Sequence, residues 1–105
     1  MELSRVGTVL DLFATQDATH FPSHFARFFI AVCQQEPCTI QAAADSLGIS
    51  NSAASRTANA LGAEHRTGRA GFGLITSERD PDEGRRYLLR LTPKGEALKR
   101  LLLDA

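Results

Sequence analysis

The sequence contains no tryptophan, one tyrosine and only two cysteines in 105 residues. Two cysteines are too few for a disulfide scaffold, so we expect a reducing, cytoplasmic setting. The sequence also lacks an apolar run of about 18 residues and a basic segment that leads into an apolar one. We therefore expect neither a membrane span nor a secretory signal. A chain of this length is expected to form a single domain with its own core.

Groups of residues that could catalyse a reaction are also absent. There is no Ser, His and Asp set, no pair of carboxylates in apolar sequence and no phosphate-binding loop, so we expect no enzyme. His20 and His24 are spaced H-x3-H, and Cys33 and Cys38 are spaced C-x4-C, which differs from the C-x2-C of zinc sites. We predict no metal and no cofactor. Cys33 is expected to be a small buried apolar residue, and a redox switch at either cysteine stays open.

The net charge is zero but is unevenly distributed along the chain. Residues 1–55 carry two Arg against five Asp or Glu, and residues 56–105 carry ten Lys or Arg against seven Asp or Glu, which gives −3 and +3. A neutral molecule of this kind can present one basic face to a nucleic acid. An imbalance of this size also arises by chance.

Residues 39–62 predict two short helices joined by a tight turn at Gly48, with Thr39 and Ser50 as their N-caps. The second helix, residues 50–61, has a thin apolar stripe made of Ala54, Ala58 and Leu61. Its other face carries short polar groups and one arginine, namely Asn51, Ser52, Ser55, Arg56 and Asn59. Two helices joined in this way form a helix-turn-helix, whose second helix can lie in the major groove of DNA.

Two further helices are predicted upstream. Over residues 3–16, Leu3, Val6, Leu10 and Phe13 follow the 3-4-3 spacing that is typical of a seam between helices. This seam could lie against its own domain or against a second copy of the chain, and both alternatives remain open. Pro22 opens the next helix, which runs to about residue 35 with a phenylalanine-rich face that we expect to form the core.

Downstream, residues 62–73 contain four glycines together with Arg66 and Arg69. This composition predicts a flexible basic connection that could contact phosphates non-specifically. Residues 74–79 and 86–92 predict two strands, and the charged stretch between them predicts a hairpin turn. Residues 92–93, Thr-Pro, then open a last helix.

Two sets of motifs, one in each part of the chain, carry a resemblance to a known family, and the set in the second part is the more specific. In the first part they are Pro22, Thr39-Ile40-Gln41, Ala44, Leu47-Gly48-Ile49-Ser50, Ser55-Arg56 and Leu61. In the second part they are Gly73-Leu74-Ile75, Arg79-Asp80-Pro81, Asp82-Glu83-Gly84-Arg85-Arg86, Leu91-Thr92 and Lys94-Gly95. On these motifs, residues 21–102 resemble the DNA-binding domain of the MarR family of bacterial transcription regulators. The implied fold is mainly α with a small β-hairpin, a winged helix-turn-helix in the order α-α-α-α-β-β-α.

The resemblance implies a sequence-specific binder of double-stranded DNA that regulates transcription, most simply as a repressor. Residues 50–61 would enter the major groove, where Arg56 matches guanine and Asn59 could approach adenine or a phosphate. The wing, residues 79–86, would enter the minor groove. Asp80 is expected to pair with Arg85 or Arg86, which leaves the other arginine for the groove.

We expect residues 1–20 to be a dimerisation element and residues 21–105 to be the DNA-binding domain. The family's long C-terminal helices would begin about where this sequence ends, so a homodimer is expected to use the N-terminal helix, with help from Leu98, Leu101 and Leu102. The connection before the wing is also roughly half a dozen residues longer than is usual in the family. The alternative function is a winged helix that binds another protein in a replication or transcription assembly. A small-molecule effector stays open.

Overall fold

The structure, a computed structural model, describes residues 2–17, 19, 21–62, 71–82, 84 and 86–105. These residues form α1 (Leu3–Ala14), α2 (Ser23–Gln35), α3 (Ile40–Leu47), α4 (Asn51–Leu61), β1 (Ile75–Arg79), β2 (Tyr87–Leu91) and α5 (Pro93–Asp104). The predicted order of elements is therefore confirmed. None of the described helices is long and apolar enough to cross a membrane.

The ends of α3 and α4 are set by the residues that the sequence marked as caps. The Thr39 hydroxyl accepts a hydrogen bond from the Ala42 N–H at 3.0 Å, and the Ser50 hydroxyl accepts one from the Ala53 N–H at 3.1 Å. Gly48 adopts φ 67°, a left-handed conformation that glycine reaches without a steric penalty. These local interactions fix the angle at which the chain leaves α3 and enters α4.

The core is built around α2, as its phenylalanines predicted. Phe28, Phe29 and Val32 are fully buried. The rings of Phe13, in α1, and Phe29 are nearly perpendicular, with 6.0 Å between their centroids. Leu61, at the end of α4, is also fully buried, so the buried face of the helix-turn-helix packs on this core.

The buried face of α4 is wider than the predicted stripe. Ala54, Ala58 and Leu61 are buried as expected, and Thr57 and Ala60 are buried with them. Small side chains allow α4 to lie close against α2 and α3. Residue periodicity alone does not reveal this, because small residues carry little apolar signal.

The hairpin is joined to the helices through β2. Strands β1 and β2 are antiparallel, with Ile75 opposite Leu91. Leu89 pairs with Cys38, between α2 and α3, and donates its N–H to the Cys38 carbonyl at 2.7 Å. The Leu91 N–H donates to the Glu36 carboxylate at 2.8 Å. These contacts tie the wing to the start of the helix-turn-helix.

The chain returns to the end of α4 after residues 63–70. The N–H groups of Phe72 and Gly73 donate to the carbonyls of Ala60 and Gly62 at 3.1 and 2.8 Å. These bonds satisfy carbonyls that a helix end otherwise leaves unpaired. The wing therefore starts from a fixed point. Arg66 and Arg69 lie outside the described residues.

The segment before β1 is fastened to the start of α5. Thr92 donates its hydroxyl to the Gly73 carbonyl at 2.6 Å, and Lys94 donates to the Phe72 carbonyl at 2.8 Å. Gly95 follows, at a point where a Cβ would lie 2.0 Å from the Leu74 carbonyl oxygen. The Leu-Thr-x-Lys-Gly motif thus binds the start of α5 to the segment before β1.

Helix α1 packs on its own domain through Val9, Leu12 and Phe13, and part of its apolar stripe stays exposed. Phe13 is buried, whereas Leu3 and Leu10 are 86% and 60% exposed. The expectation that Leu98 helps to bind a second copy is wrong for this structure, because Leu98 is 4% exposed and belongs to the core. Leu101, at 54% exposed, remains accessible.

Candidate nucleic-acid interface

The polar face of α4 is directed away from the core. Asn51, Ser52, Arg56 and Asn59 are exposed, and Ser55 is partly buried. Within the described part of the chain, the side chains of Arg56 and Asn59 have no hydrogen-bond or ion-pair partner. The structure therefore places the five α4 residues of the predicted contact set on or at the edge of one accessible surface.

Asn51 is bonded to Gln41 of α3, which is bonded in turn to Asp45 of the same helix. Its Nδ2 donates to Gln41 Oε1 at 2.6 Å, and Gln41 Nε2 donates to Asp45 Oδ1 at 2.6 Å. Sequence reasoning did not include Gln41 or Asp45 in the site. The signal for the α3 pair was available, since residues at i and i+4 are neighbours on a helix surface.

The wing is closed by a buried carboxylate. Asp80 is 4% exposed. Its Oδ2 accepts from Arg86 Nε at 2.7 Å and its Oδ1 accepts from the Asp82 N–H at 2.9 Å. The prediction that Asp80 pairs with a wing arginine is confirmed for Arg86. Arg85 lies outside the described residues.

Arg79 also supports the shape of the wing. Its guanidinium donates to the Gly84 carbonyl at 3.0 Å and to the Tyr87 hydroxyl at 3.2 Å. The guanidinium carbon lies 5.6 Å from the centroid of the Tyr87 ring. On the sheet surface, Arg90 pairs with Glu78 at 2.9 Å. The described arginines of the hairpin, Arg79, Arg86 and Arg90, therefore all have intramolecular partners.

The cysteines have the environment of structural residues. Burial raises the pKa of the Cys33 thiol from 9.0 to about 11, and burial also raises the pKa of the Cys38 thiol. Both are therefore protonated and weakly nucleophilic at neutral pH. No group of three His, Cys, Asp or Glu side chains that could hold a metal occurs among the described residues, and His20 lies outside them.

Several solved structures have the same fold. The PcaV transcriptional regulator of Streptomyces coelicolor, in complex with its natural ligand, is 25% identical over 97% of this chain and 65% of its own, with a TM-score of 0.65. A MarR family transcription regulator is 19% identical over 97% and 62%, with a TM-score of 0.66. A variant of S. aureus MepR bound to an oligodeoxyribonucleotide is 18% identical over 96% and 67%, with a TM-score of 0.68.

The chain thus spans about two thirds of the length of these structural neighbours. No protein-family model matches the sequence, and no curated protein is similar enough to match it. The likeness is therefore one of structure, and it extends over the helices, the turn and the wing. The resemblance read from the sequence is confirmed at this level: the chain has the winged helix-turn-helix fold of MarR-family transcription regulators.

Proposed function

We propose that this chain is a sequence-specific regulator of transcription that binds double-stranded DNA and represses by occupying its site. The observation that carries the proposal is the exposed polar face of α4, on which Arg56 and Asn59 have no partner within the described part of the chain. The MepR neighbour was solved with a bound oligodeoxyribonucleotide, which supports the same use of this fold.

In this proposal α4 lies in the major groove. Arg56 donates both arms of its guanidinium to O6 and N7 of a guanine. Asn59, one turn further on, approaches an adenine or a phosphate. Ser52 and Ser55 bond phosphates, because short hydroxyl side chains position a protein on the backbone more often than they read bases.

The wing lies in the adjacent minor groove. A narrow minor groove concentrates negative potential and attracts an inserted arginine. Since Asp80 accepts from Arg86 Nε, we assign Arg86 to the shape and edge of the wing and Arg85 to the groove. Arg66 and Arg69 add non-specific phosphate contacts.

A second copy completes the site. The exposed groove beside α1 has an apolar part lined by Val6, Val9, Leu10, Ile30 and Leu102 and a polar part lined by Glu2, Arg5 and Gln34, and we refer to it as the α1 groove. Two copies joined there bind a palindromic site with half-sites about one helical turn apart. The same apolar groove is also the observation that favours the second candidate function, a winged helix that binds a different protein.

Selection of bound sites from a random duplex pool tests the proposal most directly. We expect a palindrome with half-site centres about 10 base pairs apart. Affinity for unselected duplex should fall about 10³-fold between 50 and 200 mM salt if roughly six phosphates are neutralised. No selected sequence together with a flat salt response would overturn the DNA proposal and favour the protein-binding function.

The roles of the arginines are separable. Arg56→Ala should cost about 1–3 kcal/mol at one base position and relax the preference there. Arg85→Ala should weaken binding evenly across sequences. Arg100→Ala, which removes an exposed arginine from α5, is the matched control and should change neither the base preference nor the affinity. Equal effects of the first two variants on all sequences would contradict this division.

The dimer has its own test. Leu10→Glu places a charge in the α1 groove and should leave a monomer in sedimentation at micromolar concentration. Thr8→Glu places the same charge at an exposed polar position of α1 and should leave the dimer intact. A wild-type chain that sediments as a monomer both with and without DNA would refute the homodimer.

A further inference from the structure

Asn51 is the first residue of α4, and its side chain has a defined orientation. Its Nδ2 donates to Gln41 Oε1, and Gln41 Nε2 donates to Asp45 Oδ1, both at 2.6 Å. The chain of bonds runs from one helix of the helix-turn-helix to the other. It ends on an acidic residue at the edge of the surface proposed to face DNA.

The carboxylate determines the direction of every bond in this chain. An ionised carboxylate can only accept, so the Gln41 amide must turn its NH₂ group toward Asp45. The Gln41 oxygen then faces Asn51, and Asn51 must turn its own NH₂ group toward it. A side-chain amide can otherwise be flipped, because its oxygen and nitrogen ends have nearly the same shape. Here the charge of Asp45 fixes both amides.

We propose that Asp45 and Gln41 are positioning residues that make Asn51 select a base with an exocyclic amine in the major groove, with adenine preferred. The proposal rests on the DNA-binding function proposed above and assigns Asn51 a role within it. The N-terminal residues of a recognition helix are those that contact base edges, and Asn51 stands at that end of α4.

The preference for adenine follows from the hydrogen-bonding groups of Asn51 that do not bond to Gln41. Its Oδ1 is not used in the chain of bonds and accepts a hydrogen bond, and the second Nδ2 hydrogen can donate one. Adenine presents an N6 donor beside an N7 acceptor, which matches both. Cytosine presents only its N4 donor and ranks second. Guanine and thymine present oxygen acceptors opposite Oδ1, which disfavours them.

Site selection with variants tests the base preference. Asn51→Ala should identify the base position that Asn51 contacts, because the roughly tenfold preference among bases at that position should disappear. In Gln41→Lys the ammonium donates both to Asp45 and to Asn51 Oδ1. The Asn51 side-chain amide therefore flips and presents its NH₂ group to the base. The preferred base at that position should then change from adenine to guanine or thymine. Gln41→Met, similar in size but unable to form these bonds, should only relax the preference.

The outcomes separate this inference from the function on which it rests. If the wild-type chain selects a site and Arg56→Ala alters one position, but Asn51→Ala alters none, the role of Asn51 is refuted and DNA binding stands. If Gln41→Lys keeps adenine at the Asn51 position, the positioning role is refuted. Any uniform gain in affinity from the added lysine charge cancels, because the measurement compares bases within one variant.

A measurement without DNA tests the chain of bonds itself. The side-chain amide resonances of Gln41 and Asn51 should shift together in Asp45→Ala, and the amide of Gln34, which is outside the chain, should not. A shift confined to Gln41 would refute the link to Asn51, whatever the result with DNA. If the wild type selects no site and binds no duplex, the proposed function fails and the assigned base preference fails with it.

Discussion

Gly95 offers a test in which helix propensity and packing predict opposite signs. It lies in the first turn of α5, and a Cβ built there would lie 2.0 Å from the carbonyl oxygen of buried Leu74 and 3.4 Å from the Leu91 Cβ. The Leu74 carbonyl accepts the Thr92 N–H at 3.1 Å, so it cannot move without breaking that bond. Gly95→Ala must therefore push α5 away from the segment before β1.

The expected magnitude is a difference between opposing contributions. Alanine is better than glycine in a helix by about 1 kcal/mol. Forcing an extra methyl group into a packed position costs about 1–3 kcal/mol, and loosening the Thr92 bonds costs about 1 kcal/mol more. We expect Gly95→Ala to lower the free energy of unfolding by about 2 kcal/mol, since the clash involves backbone atoms that have no alternative rotamer.

Urea unfolding measures this change as a midpoint that falls by roughly 1 M with an unchanged slope. Gly7→Ala is the matched control, because Gly7 lies inside α1 and a Cβ there would meet nothing within 4 Å. That substitution should raise the free energy of unfolding by about 0.5–1 kcal/mol. A Gly95→Ala protein as stable as the wild type would refute the close contact between α5 and Leu74.

Three further predictions concern a cap, the wing and a thiol. Ser50→Ala removes the acceptor of the Ala53 N–H and should cost about 1 kcal/mol in urea unfolding; a full cost for Ser50→Asp, which can also cap, would contradict the cap. Asp80→Ala removes the carboxylate to which Arg86 Nε donates and should cost about 1–3 kcal/mol, with weaker DNA binding at all sequences alike; unchanged DNA affinity would refute a role for the wing. Burial raises the pKa of the Cys33 thiol from 9.0 to about 11, so the thiol loses its proton at a lower pH in the unfolded chain than in the folded one. The contribution of the protonated thiol to the free energy of unfolding is therefore complete below pH 9 and should be lost by about pH 11. Cys33→Ala should show a smaller loss of stability over the same pH range.

The sequence predicted the features that depend on local chemistry. Thr39 and Ser50 were expected to cap, and Gly48 to turn, because each residue type satisfies a specific backbone requirement. The observed bounds of α3 and α4 therefore follow the predicted ones closely. The pairing of Asp80 with a wing arginine was predicted from their places on the two sides of one hairpin turn.

Features that depend on contacts between distant segments were not predicted. The bridge between Cys38 and Leu89 involves a single pair of residues, so it leaves no alternation in the sequence. Leu98 lies on the apolar face of a helix, and only the packed structure shows that its side chain belongs to the core. To predict the hydrogen bond from Asn51 to Gln41, one must know the angle between α3 and α4, and residue spacing does not give that angle.

The positions of the acidic side chains determine how much positive charge the proposed DNA-binding surface can offer. Asp45, Glu78 and Asp80 lie on the helix-turn-helix and the wing, and each accepts from a residue there. They orient amide and guanidinium groups but also cancel positive charge at the proposed surface. Non-specific attraction to phosphates is then weaker than it would be without these carboxylates, since it scales with the number of phosphates that are neutralised. Under the proposed function, the affinity would therefore depend on well-oriented base contacts and on a second copy. Disrupting the α1 groove should then weaken specific binding more than non-specific binding.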